Sequence, residues 1–200
     1  MERIILGDAH NMNPADFERY GVIVADPPWQ YRVSKGEGTA EEQYDTMTDA
    51  DIWKLPVPEL ALPDCVLFLW GTWPKLPEAL TTLQSWGFDY VTGFPWVKMT
   101  NGRGINYGVG YWVRGCSEYV FVGRKGNVSP PRMKGYLGIL SPNLQHSRKP
   151  NSVHEIAEAL PGPYLELFAR RPREGWDVFG NDVQLELAGL PLFAGAEVEG

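Results

Sequence analysis

The residue types best suited to chemistry stand together at Asp26-Pro27-Pro28-Trp29, directly after the apolar run Val22-Ile23-Val24-Ala25. Two consecutive prolines donate no backbone N–H and hold φ near about −65°, so this turn relaxes into neither helix nor ladder. What it offers is the Asp26 carboxylate, the carbonyls of Asp26 and Pro27, and the Trp29 ring: acceptors and a stacking face, with no nucleophile. Such a set suits a flat substrate whose exocyclic amine is held by acceptors, as a base taken out of its stack is. It equally suits a capped turn with an indole in the core. These residues alone leave both readings open.

A strand must carry them. Residues 22–25 predict a buried parallel strand, and ligands bind at the C-terminal edge of open α/β sheets. Ile4-Ile5-Leu6 predicts an earlier strand that ends in Gly7-Asp8, where an acid either meets a ligand or closes a turn. Residues 13–20 predict a short helix with Asn13 as cap and Pro14 at its first position. Residues 30–45 are polar, contain Gly36 and Gly38, and lack an apolar period, which predicts a mobile active-site loop. Thr48 caps a helix running to about Lys54, with Asp49 and Asp51 in its first turn. A buried strand at 65–70 precedes a helix with Leu76, Ala79, Leu80, Leu83 and Trp86 on one face, closed by Gly87 in the left-handed position. Strands at 88–98 and 118–123 flank a loop, 99–115, rich in Gly, Arg and aromatics but without a dinucleotide fingerprint. A helix at 152–160 and strands at 164–168 and 176–180 follow. Strands alternating with helical patterns predict an α/β fold with a mostly parallel, doubly wound sheet. One domain is expected over residues 1–188, with a loosely ordered tail at 189–200.

The formal net charge of −7 argues against a nucleic-acid partner until it is resolved along the chain. Between Lys98 and Arg173 stand twelve Lys and Arg against four acids, while the remainder holds six basic and twenty-one acidic residues. That asymmetry predicts a basic face on an acidic protein, with Arg132 and Lys134 available to phosphates. Cys65 and Cys116 form neither a disulfide framework nor a metal-ligand pattern, so no metal is expected and a reduced, intracellular setting is. The early charges at Glu2 and Arg3 do not fit a signal peptide, and no apolar run reaches the length of a membrane span.

Several strand ends together resemble one family. Ile23-Val24-Ala25-Asp26-Pro27-Pro28-Trp29, Tyr44-Asp45-Thr46-Met47-Thr48, Leu67-Phe68-Leu69-Trp70 and Pro95-Trp96-Val97-Lys98 match it in order. His146-Ser147-Arg148-Lys149-Pro150, Leu165-Glu166-Leu167-Phe168-Ala169-Arg170 and Gly175-Trp176-Asp177-Val178-Phe179-Gly180-Asn181 continue the match, which covers residues 4–183. The chain resembles the N6-adenine methyltransferases related to the seventy-kilodalton catalytic subunit of the mRNA adenosine methyltransferase, in their prokaryotic and phage branch.

The resemblance implies a Rossmann-like methyltransferase fold with permuted motif order and S-adenosylmethionine as methyl donor. Asp26, Pro27, Pro28 and Trp29 are then the catalytic residues. Asp8 and the Ala9 backbone would face the donor's adenine, and Lys149 its methionine carboxylate. Arg170 and Asn181 would lie around its ribose and amino-acid portion, with Asp26, Phe168 and Asp182 also at the donor site. Asp182 departs from the Gln of the messenger-RNA enzyme. Phe168-Ala169-Arg170-Arg171 stands where many amino-methyltransferases have a Gly-bearing turn, so side chains are expected to hold the donor. Trp29, Tyr31, Lys98, Arg103, Arg132 and Lys134 are expected against the nucleic acid. The implied reaction methylates the 6-amino group of adenine, in DNA by preference. RNA as substrate and a non-catalytic nucleic-acid-binding subunit are the alternatives, with a protein side-chain amine disfavoured by Asp26 where Asn would be expected. A homodimer through residues 99–115 and a cytoplasmic location, the host's for a phage protein, complete the expectation.

Overall fold

The computed structural model describes residues 2–31, 46–101, 104–108, 112–131, 138–142, 149–181 and 183. Their strands are β1 (Ile4–Leu6), β2 (Tyr20–Ala25), β3 (Ala61–Gly71), β4 (Asp89–Met99), β5 (Ser117–Lys125), β6 (Ile139–Pro142), β7 (Tyr164–Leu167) and β8 (Trp176–Gly180). They form one sheet in the order β1-β8-β7-β2-β3-β5-β4-β6. The five strands from β1 to β3 are parallel, β5 runs against both β3 and β4, and β6 pairs parallel with β4.

Every residue of β2 is buried, as a central parallel strand requires. Its side chains alternate between two cores: Ile23 and Ala25 face one, Val22 and Val24 the other. The first core is closed by Ile52, Leu83 and Trp86 from α1 (Asp49–Trp53), α3 (Leu76–Ser85) and its C-terminal end; Val57 of α2 (Val57–Leu60) joins them. The second is closed by Val153, Ile156 and Ala157 of α4 (Ser152–Ala157). Helices on both faces of a mostly parallel sheet make this the Rossmann-like α/β fold that the sequence predicts.

The caps behave as their chemistry demands. Thr48 accepts from the Asp51 N–H at 3.2 Å, and Gly87 ends α3 at φ +76°, where a Cβ would be strained. The sheet edge is fastened by a buried carboxylate: Asp177 on β8 accepts from the Arg3 guanidinium at 2.9 and 2.8 Å and from the Tyr20 hydroxyl at 2.6 Å.

One expectation changes, and the structure adds two features that the sequence did not show. Residues 13–20 do not form a helix: Asn13 does cap, accepting from the Ala15 N–H at 3.2 Å, but only a 3-10 turn at Pro14–Asp16 follows. Tyr20 is instead drawn into β2, because its ring is buried and its hydroxyl reaches Asp177. Helix α2 and strand β6 are too short to show a period in sequence. The antiparallel pairing of β5 with β3 and β4 is the second added feature, and it matters to the site. Residues 32–45, 102–103, 109–111, 132–137, 143–148, 182 and 184–200 lie outside the described residues, and with them the greater part of the expected 30–45 loop and the 189–200 tail. Among the described residues, no helix is long and apolar enough to cross a membrane.

Candidate active site

Asp26 follows β2 at the C-terminal edge of the parallel strands. The proline turn behind it is held from three directions. The Trp29 N–H donates to the Pro27 carbonyl at 2.8 Å, the Met47 N–H to the Pro28 carbonyl at 2.9 Å, and the Trp29 indole N–H to the Trp70 carbonyl at 3.2 Å. Pro27 therefore keeps one acceptor lone pair for a ligand. Trp29 is only 4% exposed, so it is a buried wall of the site and not the open stacking face expected of it.

Antiparallel β5 brings its first residues to the same edge. Gly71 pairs with Tyr119 and Trp96 with Glu118, which places Glu118 beside the ends of β3 and β4. Glu118 then joins two lysines: its Oε2 lies 2.7 Å from Lys149 Nζ and its Oε1 2.5 Å from Lys98 Nζ. Lys149 Nζ lies also 3.2 Å from Asp26 Oδ1 and over the Trp70 ring. The result is a row of alternating charge, Asp26, Lys149, Glu118, Lys98, along one wall.

The electrostatics follow from that row. Burial raises the Asp26 pKa above the ordinary carboxylate value, with Lys149 pulling it down and Glu118 pushing it further up. Burial acts on Glu118 in the same sense, but Lys149 and Lys98 outweigh it and hold its pKa low. Lys149 is buried too, and the paired Asp26 and Glu118 overcome that desolvation to raise its pKa, so it stays charged. The two carboxylates are thus pushed in opposite directions: Asp26 is made more basic than usual, and Glu118 is held as an anion.

These groups line a cleft of about 610 Å³, within the usual range for small-molecule sites. Its lining unites Asp8, Ala9, Asp26, Pro27, Pro28, Trp29, Tyr31, Lys98, Lys149, Phe168, Arg170 and Asn181, all expected from the sequence. Arg103, Arg132, Lys134 and Asp182 lie outside the described residues. Two lysines of the lining carry ion-pair partners that the sequence did not show. Lys149 binds Asp26 and Glu118 directly, and Lys98, expected on the nucleic acid, is paired with Glu118 inside the cleft.

Across the cleft, Asp8 accepts from the His10 backbone N–H at 3.0 Å and lies 2.9 Å from His10 Nδ1, which together lower its pKa. Its side chain is 58% exposed, so acceptor capacity remains for a ligand. Phe168 takes a left-handed backbone at φ +62° immediately after β7, the conformation for which glycine is usual. The glycine that this turn needs is on the neighbouring strand: a Cβ on Gly180 would lie 2.1 Å from the Ala169 carbonyl oxygen. Tyr31 completes the opposite rim, its hydroxyl 2.7 Å from Thr72 Oγ1 and its pKa pushed up to about 12 by burial.

Sequence reasoning missed Glu118. An acid opening an otherwise apolar strand is a usable signal, but only the antiparallel pairing of β5 shows where that acid goes.

A family model, MT-A70, matches residues 20–182, from the start of β2 through the proline turn to the end of the cleft residues after β8. The chain belongs to the MT-A70 family. Members of the MT-A70 family are adenine N6-methyltransferases. The chain is 32% identical over 189 residues to the type II methyltransferase M.MunI of Mycoplasma sp, covering 83% of this chain and 78% of that protein. It is 33% identical over 174 residues to the N(6)-adenosine-methyltransferase subunit METTL3 of Danio rerio, covering 82% of this chain and 28% of that protein. With the N(6)-adenine-specific methyltransferase METTL4 of Homo sapiens the figures are 29% over 199 residues, 90% and 41%. The chain thus spans most of the mycoplasma enzyme and less than half of these two vertebrate relatives.

Proposed function

We propose that this MT-A70 protein transfers a methyl group from S-adenosylmethionine to the 6-amino group of adenine in DNA. The observation that carries the reading is the Asp26 carboxylate, made basic by burial and fixed beside Lys149 and the half-occupied Pro27 carbonyl, in a cleft with a second acceptor, Asp8, on its far wall.

The cleft suits such a donor. Asp8 can accept from an adenine amine, and Asn181 and Arg170 offer donors for a ribose and an amino-acid moiety. Gly180, which lines the cleft, passes so close to the Ala169 backbone that it leaves no room for a Cβ. Phe168 supplies an apolar surface in the lining, and Lys149 lies within the cleft 3.2 Å from Asp26. When bound, the donor supplies a methyl group on a sulfonium centre, an electrophile that a neutral amine can take.

The protein's share is placement. Asp26 and the Pro27 carbonyl accept the two N–H bonds of the 6-amino group, which draws its lone pair out of ring conjugation and fixes its direction. The amine loses a proton only as it is alkylated, and the raised pKa of Asp26 makes that carboxylate the acceptor for it. Lys149 and Glu118 hold the carboxylate in one orientation. Trp29 closes the site behind the base.

DNA is favoured over RNA because the chain spans 78% of a type II methyltransferase, whereas the adenosine methyltransferase subunit is covered over 28%. The homodimer through residues 99–115 belongs to the same reading, supported by the exposed Trp112 and Val113, 98% and 80% accessible. Incubation with methyl-labelled donor and matched DNA and RNA pools, followed by nucleoside analysis, tests the proposal. Labelled 6-methyl-deoxyadenosine is expected; label confined to RNA refutes the polymer, and label in neither refutes the activity.

A further inference from the structure

One large aromatic stands beside the cleft without a place in the chemistry above. Trp73 directly follows the cleft residues Gly71 and Thr72 in a 3-10 turn, Trp73–Lys75, and is 51% exposed. It is nonetheless fixed. Its indole N–H donates to Ser117 Oγ at 2.9 Å, and its ring meets the edge of Tyr119 at 5.3 Å. Ser117 and Tyr119 flank Glu118, so both attachments of the ring are to neighbours of a cleft residue. Tyr119 is in turn stacked on Phe121 at 4.2 Å, which leaves the support rigid. An indole held by its polar edge and one side while half its surface faces water is a prepared stacking platform, and each nucleobase has a π-face to lay on it.

We propose that Trp73 is a substrate-binding residue that stacks on a base adjoining the target adenine, holding the displaced strand at the mouth of the cleft. This rests on the nucleic-acid reading above. Taking adenine out of its stack leaves its neighbour without a partner on one side, and Trp73 supplies that partner. Lys75, two residues further on, is buried and bound to Asp49 at 2.8 and 2.9 Å, so the contribution of this turn to the strand is the ring and not a cation on a phosphate.

The test uses an oligonucleotide that the wild-type protein methylates, with 2-aminopurine placed in turn on either side of the target adenine. Trp73→Ala is expected to raise KM for the oligonucleotide roughly tenfold, with kcat within about twofold. Donor affinity stays unchanged and 2-aminopurine at one of the two positions brightens as its quenching partner is lost. Trp73→Phe, which keeps a ring but not the bond to Ser117, restores KM to within about threefold of the wild type. Unchanged KM and unchanged 2-aminopurine emission in Trp73→Ala overturn the proposal. A loss that comes with a lower melting temperature, weaker donor binding or a changed oligomeric mass also overturns it, since the ring would then be structural or part of an interface. If the wild-type protein methylates no nucleic acid at all, the functional reading has failed, which is a separate result from an active enzyme indifferent to Trp73.

Discussion

Replacing Glu118 by Gln keeps its shape and removes an anion that both cleft lysines share. Removing one partner of a fully buried ion pair costs about 3–5 kcal/mol. Here the side chains of Glu118, Lys149 and Lys98 are 11%, 20% and 27% exposed, so solvent screens part of the loss. Lys149 also keeps Asp26 at 3.2 Å. A net cost of about 2 kcal/mol remains, which in a chain of this size lowers the melting temperature by roughly 4–8 °C. The pH dependence fixes the cause. The folded-state pKa of Glu118 lies below its unfolded value, so its stabilisation is fully present above the ordinary carboxylate range and is lost as pH falls through the folded value. The gap between wild type and Glu118→Gln must therefore close in acid. Asp26, relieved of a neighbouring negative charge, becomes less basic, and the acid limb of the activity profile moves to lower pH. Thermal unfolding and initial rates across a pH series measure both effects. A melting temperature within about 1 °C of wild type at neutral pH, or a gap that persists in acid, refutes the reasoning.

Asp26→Asn tests the opposite sign. The folded pKa of Asp26 is raised, so its ionised form costs stability once pH rises through that value, and the Asn variant is expected to melt at the wild-type temperature or above it at neutral pH; a fall of several degrees contradicts this. Arg3→Ala strips two hydrogen bonds from Asp177, whose side chain is 8% exposed, and is expected to cost about 2 kcal/mol by urea unfolding without altering donor affinity. Gly180→Ala drives a Cβ into the Ala169 carbonyl, so the turn at residues 168–170 must shift; a loss of about 1–3 kcal/mol is expected, together with weaker donor binding by calorimetry.

Seven of the eight described strands fall where the sequence predicts them, because the runs that form them are set off by Gly, Pro or acid; β6, at four residues, is too short to show. The resemblance located most of the cleft, since Asp8, Asp26, Lys149, Arg170 and Asn181 all line it. What the residues could not show is pairing. Nothing local to Ser117–Lys125 says that β5 runs against β3, yet that direction alone brings Glu118 to Asp26's end of the sheet. The failed helix at 13–20 has the same origin: Asn13 and Pro14 start it correctly, but burial of Tyr20 in β2 outweighs the local signal. Trp29 shows a third limit, for a period in sequence does not distinguish an aromatic that faces a ligand from one whose indole N–H is spent on Trp70.

The central claim, that Asp26 holds the 6-amino group of adenine for methyl transfer, is tested most directly by mass spectrometry of nucleosides from DNA treated with wild type and Asp26→Asn in parallel, both shown to be folded and to bind S-adenosylmethionine. The expected result is 6-methyl-deoxyadenosine from the wild type and at least about a hundredfold less from the variant. Comparable yields from the two, or methylation on a base other than adenine, would contradict it.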